Sequence, residues 1–91
     1  MEFQINIVEA KKLLDGKKAV LIDVRELFEY NLARIDGSIL IPMDELPRSV
    51  ERIRKLVANK EAIIHCHHGI RSQFAAEFLR RNGINARSMS G

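Results

Sequence analysis

Two runs of consecutive apolar residues constrain this chain more than anything else in it. Ala19-Val20-Leu21-Ile22 stops at Asp23, and Ala62-Ile63-Ile64 stops at His65. Neither run alternates apolar with polar residues, as a strand with one wet face would. Runs this short and this continuous read as strands buried on both faces, and such strands belong to parallel sheets. Burial on both faces requires helices above and below. The chain supplies amphipathic stretches for that purpose: Leu46, Val50, Ile53 and Val57 form an apolar stripe at helical spacing, with charged residues opposite. A chain of 91 residues argues for one domain. Strand and helix alternate along it, without repeat, linker or low-complexity segment. The expected fold is therefore α/β, a mostly parallel five-stranded sheet flanked by helices.

Local signals place the remaining elements. Residues 3–5 form a short first strand. Asn6 then caps a helix, and Glu9 three residues on completes a capping-box pattern. Val8, Leu13 and Leu14 are expected on one face of that helix, with Gly16 ending it as a left-handed C-cap. Residues 24–33 read as a loop running into a short helix. Asp36-Gly37-Ser38 is a turn. Residues 39–41 are a third strand, stopped by Pro42. Asp44 is expected to cap the next helix, with Pro47 in its first turn. After His65 a further helix places Phe74, Ala75, Phe78 and Leu79 on one face, with Phe74 and Phe78 in the core. Arg80 and Arg81 fall in its last turn, where cations complement the dipole. Asn82-Gly83 ends it, and residues 84–89 offer a last, weaker strand.

Composition narrows the function classes. The chain is 46% hydrophobic and 30% charged, the balance of a folded domain. Its net charge of +3 and aromatic content of 5% are not the footprint of a nucleic-acid binder. No apolar stretch is long enough to span a membrane. Met1-Glu2-Phe3 begins no signal peptide. With a single cysteine, no internal disulfide is available, and a reducing, cytoplasmic setting is the expectation.

That cysteine sits in His65-Cys66-His67-His68-Gly69-Ile70-Arg71-Ser72, between a strand end and a helix start. Functional loops of parallel sheets lie beyond the carboxyl ends of the strands, where Asp23 also falls. The first turn of a helix has unpaired N–H groups and a partial positive charge, so it favours an anion or a thiolate. Gly69 lets the loop curl, and Arg71 adds a permanent charge. Three chemistries use a thiolate above an anion cradle: sulfur transfer, phosphate-ester hydrolysis, and thiol redox chemistry. Cysteine-dependent phosphatases place five residues between cysteine and arginine, whereas here four separate Cys66 from Arg71. The smaller ring suits a cysteine-bound sulfur better than a tetrahedral phosphate. His65, His67 and His68 are not read as metal ligands, because sequence neighbours rarely converge on one ion and no second cluster completes a set. His67 and His68 are instead expected to set the local field or donate to substrate.

The loop from Cys66 to Ser72 resembles the active-site loop of single-domain rhodanese-like sulfurtransferases. Leu21-Ile22-Asp23-Val24-Arg25 followed by Glu29-Tyr30 is similar to the family's Asp-Val-Arg segment and downstream Glu. Ile35-Asp36-Gly37-Ser38 with Ile41-Pro42 resembles its isoleucine, glycine, small-residue and proline pattern. The resemblance implies one rhodanese-like domain over residues 1–91. It implies that Cys66 is the nucleophile and carries a persulfide, drawn from thiosulfate or a similar sulfane-sulfur donor. The N–H groups of residues 67–71 would cradle its charge, so that His67, His68, Gly69, Ile70 and Arg71 bind substrate. Asp23, Arg25, Glu29 and Ser72 would support the site, with Arg25 paired to Glu29. The implied acceptors are a thiol, cyanide or a protein. No metal or organic cofactor, nucleic acid or membrane is implied, and no oligomeric state. The other readings are a phosphatase or arsenate reductase using the same cysteine, and a non-catalytic interaction module.

The chain departs from the family pattern twice. Ala33-Arg34 stands where Gly-His is usual. Such domains also continue through Gly-Gly into a terminal helix, whereas the sequence stops at Ser90-Gly91, so one face or edge of the sheet is expected to be partly uncovered.

Overall fold

The computed structural model describes residues 3–90; Met1, Glu2 and Gly91, used above in reading the two ends of the chain, lie outside them. In chain order the elements are β1 (Gln4–Asn6), α1 (Ile7–Asp15), β2 (Ala19–Asp23), α2 (Leu27–Leu32) and β3 (Ile39–Leu40). A 3-10 segment (Met43–Ser49) follows, then α3 (Val50–Val57), β4 (Glu61–His65), α4 (Ile70–Arg81) and β5 (Ala86–Ser90). The five strands form one parallel sheet in the order β1-β5-β4-β2-β3. Central strands β2 and β4 pair from Ala19 opposite Glu61 to Asp23 opposite His65. Their carboxyl ends therefore coincide, which brings Asp23 and Cys66 to the same end of the sheet.

The missing alternation in β4 has a direct cause. Ala62, Ile63 and Ile64 are all fully buried. Ala62 and Ile64 pack with Ile22, Ile41, Ile53 and Leu79 on one face. Ile63 packs with Ile5, Ala10 and Leu21 on the other. Each buried isoleucine or leucine among these stabilises the fold by about 1.5–3 kcal/mol. The 3-10 segment, α3 and α4 cover the first face through Leu46, Ile53, Val57, Ala75, Ala76 and Leu79. Helix α1 covers the second through Ala10, Leu13 and Leu14. Beside α1 that face carries an apolar groove of about 420 Å³ that includes Leu14, Leu21, Ile35 and Met89. Among the described residues no helix is long and apolar enough to cross a membrane.

Asn6 caps α1 as expected, its side chain accepting from the Glu9 N–H at 2.8 Å. Four other expectations need correction. Val8 is 66% exposed, because the core stripe of α1 runs through Ala10, Leu13 and Leu14 at i, i+3 and i+4. Gly16 has φ −80°; the left-handed position is Lys17, at φ 58°. The Lys17 and Lys18 N–H groups return to the Leu14 and Leu13 carbonyls at 3.0 and 2.8 Å, so the helix closes one residue later than the glycine suggests. Asp44 caps no α-helix. It lies in the first turn of the 3-10 segment, Pro47 sits inside that segment, and α3 starts at Val50. Proline cannot donate within a continuous α-helix, and its ring clashes with the preceding turn. Phe74 is 63% exposed, because the buried stripe of α4 is Ser72, Ala75, Ala76 and Leu79. The small Ser72, Ala75 and Ala76 of this stripe let α4 lie close against the sheet, and the larger Phe74 falls outside it.

Candidate active site

The site is assembled where β4 gives way to α4. The chain leaves His65, passes Cys66 and curls back through Gly69, which has φ +83°, before α4 begins at Ile70. A Cβ at Gly69 would meet nothing within 4 Å, so glycine serves the left-handed backbone there and not a lack of space. The curl aims two N–H groups at one sulfur: Gly69 N lies 3.1 Å and Ser72 N 3.2 Å from Cys66 Sγ. The expected cradle covered residues 67–71. Of these, Gly69 donates, and the second donor is Ser72, one residue further along the first turn of α4. Cys66 is 4% exposed and meets solvent through a cavity of about 600 Å³. His67, His68 and Ile70 line that cavity and are themselves exposed, and the two imidazoles meet edge to face with centroids 4.3 Å apart.

Arg71, expected to bind substrate, is engaged by Glu29 and so ties the loop to α2. Its two terminal nitrogens donate to the two Glu29 carboxylate oxygens at 2.8 and 2.9 Å. A cation in the first turn of a helix opposes the dipole, and the paired carboxylate offsets that. Glu29 also accepts from the Glu26 N–H at 2.7 Å, which closes the capping box of α2. The Arg71 hydrogen bonds first, and the Glu26 N–H second, hold the Glu29 carboxyl at about 2, well below the usual carboxylate range. Arg71 is raised from its ordinary value, chiefly by the same hydrogen bonds.

Arg25 is paired to Asp23, not to Glu29 as expected. Asp23 is fully buried at the end of β2. Arg25 Nε lies 2.9 and 3.0 Å from its two oxygens, and a terminal nitrogen lies 2.7 Å from Oδ2. The same guanidinium nitrogen reaches the Ala33 carbonyl at 2.7 Å, tying down the far end of α2. A buried carboxylate demands such a partner, and the one two residues away is near enough to satisfy it first. Hydrogen bonding to Asp23 raises Arg25 above its ordinary value, against the opposing effect of burial. His65 is half-buried beside the cysteine, and burial lowers it from its usual value.

Spacing alone could not reveal the residues that close the site from elsewhere. Gln4 of β1, Gln73 of α4 and Ser88 and Met89 of β5 line the same cavity. Ser88 is buried, and its Oγ lies 2.6 Å from that of Ser72. The pairing of β5 with β1 and β4 brings Gln4, Ser88 and Met89 to Cys66, whereas Gln73 follows the loop directly in the first turns of α4. Among the described residues no group of three or more His, Cys, Asp and Glu side chains is placed to hold a metal ion.

The chain is thus a parallel α/β domain that presents one thiol to the N–H groups at the start of a helix. The family model for the rhodanese-like domain matches residues 6–91, and the chain belongs to that family. It is 32% identical over 85 residues to a tRNA uridine(34) hydroxylase of Salmonella arizonae, a match that covers 89% of this chain and 24% of that protein. The chain thus spans about a quarter of the length of the curated relatives it matches. Among solved structures, a rhodanese-related protein from Thermoplasma volcanium superposes with a TM-score of 0.82 at 35% identity, over 98% of this chain and 84% of that one. The human single-domain sulfurtransferase TSTD1 shares the fold, with a TM-score of 0.86 at 24% identity over 100% of this chain and 91% of that one.

Proposed function

We propose that the chain is a sulfurtransferase of the thiosulfate type. The Cys66 thiolate attacks the outer sulfur of thiosulfate or a similar donor. The sulfur–sulfur bond of the donor breaks, and sulfite leaves with the bonding electron pair. Cys66 then carries a persulfide. An acceptor thiolate or cyanide attacks the outer sulfur, and the Cys66 thiolate departs. The observation that carries this reading is the pair of N–H groups on Cys66 Sγ, within a loop of four residues between Cys66 and Arg71. Those donors stabilise the Cys66 thiolate that attacks in the first half-reaction and departs in the second. His67, His68 and Ile70 form the cavity rim that meets donor and acceptor, while Glu29, Arg71, Asp23 and Arg25 hold the backbone around it. We assign the activity to the cytoplasm, with small thiols, cyanide or a protein as acceptor and without nucleic acid, membrane, metal or organic cofactor.

The likeness to a tRNA uridine(34) hydroxylase supports a second reading, in which the domain serves within a larger tRNA-modifying protein. One experiment bears on both. Intact-protein mass spectrometry after incubation with thiosulfate is expected to show one added sulfur, removed by cyanide and absent from Cys66→Ser. No adduct on the folded wild type, with either thiosulfate or a small persulfide as donor, would overturn the sulfurtransferase assignment and leave the second reading.

A further inference from the structure

Beneath the cysteine loop lies a buried pair of hydroxyls that the sulfur-transfer scheme does not use. Ser72 is fully buried and Ser88 is 1% exposed. Their Oγ atoms are 2.6 Å apart, and Ser72 Oγ also lies 3.1 Å from the Gly69 carbonyl. Each hydroxyl has one proton to donate. Ser72 is the only one of the two within reach of the Gly69 carbonyl, so its proton goes there. The Ser88 proton then fills the short contact between the hydroxyls. This assignment leaves neither buried donor without a partner, in agreement with the absence of unsatisfied buried side-chain atoms among the described residues.

The direction of the chain follows. Ser88 donates to Ser72, and Ser72 donates to the carbonyl of Gly69. The backbone N–H groups of those same two residues, Gly69 and Ser72, point at Cys66 Sγ. Gly69 has no Cβ to restrict its left-handed backbone, and its carbonyl is held by the Ser72 hydroxyl together with the Gln73 N–H at 3.3 Å. The geometry points to Ser88 as a positioning residue. Seated on β5, sixteen residues beyond Ser72, it holds the Ser72 hydroxyl on the Gly69 carbonyl and so keeps both N–H donors aimed at the sulfur. It touches neither donor nor acceptor sulfur in this role. The sheet thereby sets the reactivity of the loop, because β5 pairs with β4 at Ile64 opposite Ser88, two residues before Cys66.

This assignment rests on Cys66 being the reacting group, but its test does not require sulfur transfer. The pH profile of Cys66 alkylation by iodoacetamide reads the thiolate directly. Ser88→Ala is expected to move the midpoint of that profile upward and to slow alkylation at neutral pH about tenfold, the effect of one buried hydrogen bond of ordinary strength. Ser88→Thr, which keeps the hydroxyl, is expected to stay close to the wild type. The decisive comparison is a double-mutant cycle. Once Ser72→Ala has removed the relay, Ser88→Ala should change the profile no further. An unchanged profile in Ser88→Ala, or the same shift with and without the Ser72 hydroxyl, would overturn the assignment. So would a loss confined to melting temperature, which marks a merely structural hydroxyl. A wild type whose alkylation profile depends on Ser88 in this way but which takes no sulfur from any donor would overturn the sulfurtransferase reading while leaving the role of Ser88 intact.

Discussion

Arg25→Ala tests how the site is braced. Asp23 is fully buried, and the Arg25 side chain above it is 9% exposed. The substitution removes the guanidinium contacts to both carboxylate oxygens and the bond to the Ala33 carbonyl. Asp23 keeps only the Arg25 backbone N–H, at 3.0 Å. Breaking a buried pair on one side strands the other charge and costs about 3–5 kcal/mol. A domain of this length has a total stability of about 5–14 kcal/mol. Near the lower cost, and at about 4–8 °C per kcal/mol for a domain this small, the melting temperature should fall by about 12–24 °C. Arg25→Lys should recover part of that loss, since an ammonium supplies the charge without the planar fork. Thermal and urea unfolding followed by circular dichroism give both numbers. The combined Asp23→Ala and Arg25→Ala variant should lose less than the sum of the two single losses, because no charge is left stranded. A fall of under 4 °C for Arg25→Ala, or strict additivity in the pair, would refute this account of the brace.

Other perturbations reach the remaining parts of the argument. Glu29 is depressed from the ordinary carboxylate value to about 2 by Arg71, so its contribution is fully present above the unfolded value and is lost as pH falls from about 4.5 towards 2. Melting temperatures measured across that window should drop less steeply in Glu29→Gln than in the wild type; equal slopes would remove Glu29 from the acid response. Gly69→Ala forces a side chain into the left-handed region at φ +83° and should cost about 1–2 kcal/mol, with slower alkylation of Cys66. An unchanged alkylation rate there would mean that the curl of the loop does not matter for the thiol. Phe74→Ser should change stability by no more than about 0.5 kcal/mol, as suits a side chain that is 63% exposed; a core-sized loss in urea titration would contradict its outward placement.

What the linear chain made legible is local or periodic. The unbroken apolar runs ending at Asp23 and His65 announced β2 and β4, because burial on both faces leaves no reason for alternation. Asn6 announced its cap, because a cap acts on an N–H three residues away. The spacing around Cys66 announced a strand end, a glycine curl and a helix start, all within seven residues. Even local signals failed where a neighbour competed. Lys17 took the left-handed position beside Gly16, and the small stripe of α4 displaced Phe74 from the core.

Choice of partner was not legible. Glu29 had Arg25 four residues before it in sequence, yet it pairs with Arg71, forty-two residues away, while Arg25 pairs with Asp23. Ser88 lies in a weak last strand with nothing in its neighbours to mark it; parallel pairing of β5 with β4 puts its hydroxyl under the loop. The sequence by itself determined the two central strands, the cap of α1 and the turn that carries Cys66 into α4, since those depend on spacing along one chain. The tertiary structure alone decided which charges pair and which hydroxyl steadies the thiol, since a buried polar group takes whichever partner the folded sheet brings within hydrogen-bond distance.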